Sequence, residues 1–149
     1  MLEIKTEIGE IRFSTNVIKK IVIDAVHQTE GKAYIYHYKG KYQNAMTGIA
    51  SRMTLYNGDR GDAGSIDVAD TETGLQITVY LVMRFGASIR TSCIHIIHYI
   101  FDNVEKIMEA PPEAVRVIVT GVESNEIAKR NLEYSMRADE PGVIHEPPR

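Results

Sequence analysis

Between Ile89 and Met108 the apolar side chains keep one rhythm and one side. Ile89, Cys93, Ile96, Ile97, Ile100, Val104, Ile107 and Met108 fall within a wedge of about 120° when wound at about 100° per residue. A helix with one apolar face must lay that face on a second layer, so the rest of the chain has to supply a sheet or further helices. Ser88 is placed to cap its first turn, and Pro111-Pro112 to stop it.

The second layer reads mainly as sheet. Glu10-Ile11-Arg12-Phe13 alternates polar and apolar residues as a short strand does, and Val17, Ile18, Ile21, Val22, Ala25 and Val26 then recur at helical spacing, capped by Ser14 or Thr15 and ended by Gly31. Ser65 to Ala69 and Leu75 to Met83 form a hairpin pattern, with Gly74 as the residue of positive φ. Ala114 to Thr120 reads as a final strand. The order strand, helix, strand, strand, helix, strand predicts an α+β fold of the split βαβ kind, two helices on one face of a small antiparallel sheet. One domain is expected over residues 1–122, with Tyr34–Tyr38 and a long loop at about 39–64 inserted into it. Residues 123–137, chiefly Ser124 to Arg137, are expected to form a C-terminal helix, and 138–149 a disordered tail.

Composition narrows the function. Of 149 residues 44% are hydrophobic and 25% charged, with a net charge of -3, so no basic field favours nucleic acid and none is expected as a partner. The single cysteine, Cys93, makes no internal disulfide. The longest apolar runs, such as Val79 to Met83, fall far short of the roughly 20 residues that span a bilayer, and the start lacks a secretory h-region. A cytoplasmic protein without direct membrane insertion is expected.

Three blocks together resemble a known family: Gly9-Glu-Ile-x-Phe-Ser ahead of Val17-Ile18-x-x-Ile21, Leu75-x-Ile-x-Val79-x-Leu81-Val82-x-x-Phe85-Gly86-x-x-Ile89, and Val104 ahead of Val115-x-Val117-x-Val119-x-Gly121-Val122. From about Gly9 to Val122 the chain resembles the alkaline-shock and general-stress proteins, the small envelope stress response proteins of Gram-positive bacteria. It departs from their pattern after Glu30-Gly31, at Ile97 where Gln is frequent, and at Ala110-Pro111-Pro112 where Thr-Gly-Leu is usual. The resemblance implies a non-catalytic envelope stress response protein. It would be cytoplasmic, membrane-proximal through a membrane-anchored protein partner, and without agreed catalytic residues. Some relatives imply an alternative, a regulatory or ligand-binding module of fatty-acid or phospholipid metabolism.

The residues themselves offer little chemistry. His95, His98 and Asp102 share the polar flank of the second helix, but nothing elsewhere is spaced to complete a zinc site, and a solvated face is the simpler reading. Gly58 to Gly64 lacks the strand before it and the Lys-Ser/Thr after it that a phosphate loop needs, and Asp67 and Asp70 should lie on opposite faces of a strand. Cys93 lies in the apolar wedge as an inert thiol. No catalytic residue, metal or cofactor is expected, and the chain is read as a non-enzyme. Two features point to protein interaction. Ile94 and Phe101 lie some 80 to 100° from the centre of the apolar wedge and need a cover, from Ser124–Arg137, from a second copy in a homo-oligomer, or from another protein. Tyr34, Tyr36 and Tyr38 alternate so that their rings share one face, with Ile35 and His37 on the other.

Overall fold

The computed structural model describes residues 2–6, 9–13, 15–39 and 65–148. Two short strands, β1 (Leu2–Thr6) and β2 (Gly9–Phe13), pair antiparallel as a two-stranded sheet ahead of helix α1 (Thr15–His27). The rest is β3 (Ala33–Ile35), β4 (Ile66–Thr71), β5 (Gly74–Arg84), helix α2 (Ile89–Met108), β6 (Ala114–Glu123) and β7 (Ile127–Arg137). The expected α+β architecture holds, with two helices against a mostly antiparallel five-stranded sheet whose central pair, β5 and β6, runs parallel across the α2 crossover. The Ser88 hydroxyl caps α2 by accepting from the Thr91 N–H, as its position predicts.

The sheet divides its residues by parity. Leu75, Ile77, Val79, Leu81 and Met83 of β5 join Val115, Val117 and Val119 of β6 in the core beneath the helices. Ile18 and Val22 of α1 and Ile96, Ile97 and Ile100 of α2 meet them, every one fully buried. α1 lies over β3 and β4, α2 over β6 and β7, and the helices touch each other between. The alternation in the sequence is therefore the alternation of the two faces of one sheet.

The edge beside β5 is unusual. β3 pairs with the C-terminal half of β5 and β4 with its N-terminal half, both antiparallel, so the two short strands lie end to end along one line. Tyr80 joins them: its carbonyl accepts from the Tyr36 N–H at 3.0 Å, and its own N–H donates to the Ser65 carbonyl at 2.9 Å. Tyr36 and Ser65 together make the two hydrogen bonds that one residue of an uninterrupted strand would make. The expected long loop, Lys39 aside, lies outside the described residues, as does Gly58 to Gly64.

Three expectations change. Ser124–Arg137 is not a helix but the hairpin turn and strand β7, antiparallel to β6, with Leu132, Tyr134 and Met136 turned to the core. The tail is not loose: Ile144 packs on the core, His145 exchanges backbone hydrogen bonds with Ser135 at 2.9 and 3.0 Å, and Glu146 ion-pairs with Arg90 at 2.6 Å. Tyr34–Tyr38 is not one strand: β3 ends at Ile35, and the chain leaves the sheet after the Tyr36–Tyr80 hydrogen bond. At the opposite end of the sheet Glu113 binds the β4–β5 turn to the start of β6, accepting from Thr73 at 2.8 Å and Gln76 at 3.2 Å while Arg137 stands 3.5 Å away.

Candidate functional site

The face of the sheet turned away from the helices bears Gln76, Thr78, Tyr80, Val82 and Arg84 of β5 and Arg116, Ile118 and Glu123 of β6. Across part of it runs a strap, residues 36–39, and Thr120 anchors that strap. Its hydroxyl accepts from the Tyr38 N–H at 2.9 Å, and its own proton is shared between the Tyr36 and Leu81 carbonyls at 3.1 and 3.0 Å. Thr120 can do this because β6 carries an extra residue there, Val119 pairing with Leu81 and Gly121 with Val82. Gly121 is required by the same geometry: a Cβ on it would lie 2.5 Å from Ile127 Cγ2 and 3.4 Å from Tyr38 Cδ1.

The tyrosines divide into support and surface. Tyr34 and Tyr36 are each only 7% exposed, their rings 6.5 Å apart, and they pack with Val82, Tyr38 and Ile127 as a second small core. The Tyr34 hydroxyl donates to Glu123 Oε2 at 3.0 Å, the Arg84 guanidinium lies 5.6 Å from the Tyr34 ring centre, and Arg84 and Glu123 form an ion pair at 3.6 Å. Burying Glu123 costs little when a cation and a hydroxyl both serve its oxygens. Tyr38 remains half-buried. His37 departs from strict alternation, because the strand has ended: its ring stacks on Tyr80 at 4.2 Å and 4°, on the same face as the tyrosines. Burial, then the nearby Lys39 and Lys129, hold its pKa below the ordinary value of 6.5.

Of the other pair singled out by spacing, Phe101 is 7% exposed and belongs to the domain's own core, while Ile94 is half-buried. Arg90 shares their flank of α2 and is held by Glu146, so the C-terminal run reaches that flank. His95, His98 and Asp102 are exposed on α2, and among the described residues no three His, Cys, Asp or Glu side chains converge as a metal ion requires. Cys93 is fully buried, and burial pushes its thiol pKa up to about 12, far from the range of a nucleophile.

One residue that the sequence pattern marks only as a position of the fold stands out in the structure. Phe85, which follows β5, is 78% exposed. The signal was present in Gly86, whose φ of +89° turns the chain sharply and leaves the preceding side chain on a convex corner. None of the described helices is long and apolar enough to cross a membrane.

A family model described as the alkaline shock protein family, cell envelope-related function, matches residues 3–124. No curated protein and no solved structure matches the chain. The match ends just before β7, so the strand and tail that close the far edge lie beyond it.

Proposed function

The chain belongs to the alkaline shock protein family, whose function is cell envelope-related, and from that premise we propose that it acts in the envelope stress response as a non-catalytic scaffold. It works in the cytoplasm close to the membrane, by holding a membrane-anchored protein partner and by self-association. The observation that carries this reading is the strapped face. Tyr34, Tyr36 and Thr120 are spent on fixing residues 36–39 in place, which presents the His37–Tyr80 stack and the edge of Tyr38 in one preset arrangement. Rigid aromatic side chains with polar edges lose little entropy on binding, which suits them to protein recognition. The sealed thiol of Cys93 supports a role without nucleophilic catalysis.

The test is capture from native cells by the full chain, with proteins extracted from the membrane fraction. Replacing Tyr38 and Tyr80 by Ser should leave a folded domain that no longer enriches a protein with a membrane-spanning segment and no longer self-associates. An unchanged capture set and an unchanged oligomeric state would refute the reading. A fatty acyl chain retained through purification would instead favour the ligand-binding alternative.

A further inference from the structure

β7 ends the five-stranded sheet, and its outer edge is covered at one rung. Among the described residues, the pairing on that side is the bridge of Ser135 with His145, whose two backbone hydrogen bonds measure 2.9 and 3.0 Å. Ser135 therefore turns its N–H and C=O outward, and because the pairing with β6 is regular from Leu132 to Arg137, Glu133 and Arg137 do the same. The tail reaches Ser135 through a turn at Asp139 to Gly142, in which Gly142 has a φ of +80°. Ile144 on the core and the exposed Arg90–Glu146 pair complete its hold. A contact this small opens on its own, without unfolding the sheet. What it uncovers is a strand edge.

From these contacts we propose that the C-terminal tail is a gate over a docking edge, and that the occupant of the opened edge is β7 of a second copy, paired antiparallel about Ser135. The edge is complementary to itself. In that register Ser135 exchanges hydrogen bonds with its counterpart, and Glu133 of each copy stands directly opposite Arg137 of the other. Arg116 holds Glu133 at 2.7 Å and Glu113 stands 3.5 Å from Arg137, so charges alternate in sign across the joint. On the helix side Tyr134 meets Met136, which continues the apolar layer of one copy into the other. Moving the axis to Tyr134 or to Met136 loses both ion pairs, and moving it to Glu133 sets like charges face to face. Beyond the register shift, Lys129 and Arg130 of one copy lie toward Asp139 and Glu140 of the other, again opposite in sign. This edge is separate from the strapped face.

The experiment is light scattering and oxidative cross-linking of the purified full chain. Ile144→Asp sets a charge where the tail packs, and His145→Pro removes the N–H that the Ser135 carbonyl accepts; each should release the tail while the domain keeps a cooperative melt. Released chains should dimerise about tenfold more tightly than the parent, and should do so equally when Tyr38→Ser and Tyr80→Ser are added. Ser135→Cys in a released chain should give a disulfide-linked dimer, since residues paired in this way lie about 5.5 Å apart at Cα. Cys93 is fully buried and does not compete. Glu133→Lys and Arg137→Glu, each in a released chain, should abolish the dimer alone and restore it when the two chains are mixed. Equal dimerisation of parent and released chains, no cross-link through Ser135→Cys, or no rescue on mixing overturns the proposal. So does a disulfide between a Ser135→Cys chain and a His145→Cys chain in place of one between two Ser135→Cys chains, which would make the exchanged tail the occupant.

Discussion

At the scale of single residues, the site depends on fit more than on reactive groups. Gly121 is the clearest case, since no side chain can occupy its position without displacing Ile127. Gly121→Ala should cost about 1 to 3 kcal/mol in urea unfolding, and a second change, Ile127→Ala, should recover part of that loss by making room. His37 gives the face a pH dependence whose sign follows from its lowered pKa. Above about pH 6.5 the ring is neutral in both folded and unfolded chains, and its stacking is fully available. As pH falls from there the unfolded chain takes up the proton first, so stability declines until the folded-state pKa is passed. Melting temperature should therefore drop between pH 7.5 and pH 5 by more in the parent than in His37→Gln; equal drops would remove His37 as the cause.

Among the elements, those that could be read from sequence are those whose period is unbroken. The stripe of α2 and the alternation of β5 run for many residues against a single layer, and both appear where the spacing places them. β7 was obscured for two reasons. Glu126, Ala128, Lys129, Arg130 and Met136 favour helix when taken alone, and the register shift against β6 near Lys129 interrupts the alternation that Leu132, Tyr134 and Met136 otherwise show. Tertiary pairing then outweighs local preference. The strap was half legible: the spacing placed Tyr34 and Tyr36 together, but the departure of the chain at Tyr36 depends on Thr120, 84 residues away, and no local pattern reports it. The tail is held by similarly distant partners. Deleting residues 139–149 removes the paired hydrogen bonds of His145 and the burial of Ile144, and should lower stability by about 2 kcal/mol, the exposed Arg90–Glu146 pair adding little. A deletion that melts like the parent would show that the tail is merely draped.

For the whole molecule, the sheet has two unlike faces: one is closed by the two helices and the main core, the other carries the strap and the small core of Tyr34, Tyr36 and Val82. Cys93 provides a gauge of that closure, because a thiol so deeply buried should react with thiol reagents only when the domain opens, at a rate that tracks global unfolding. The shared rung at Tyr80 has a further consequence. Because the sheet accepts one hydrogen bond from Tyr36 and offers one to Ser65, the intervening stretch departs and returns at a single point, and the sheet is indifferent to how long the excursion is. Joining Tyr36 directly to Ile66 should leave far-UV circular dichroism of the sheet intact, and it would spare the fold a loop-closure cost on the order of 3 kcal/mol. A junction of this kind is a splice site in the architectural sense: chain can be added or removed between Tyr36 and Ser65 while the folding unit beneath it is inherited unchanged.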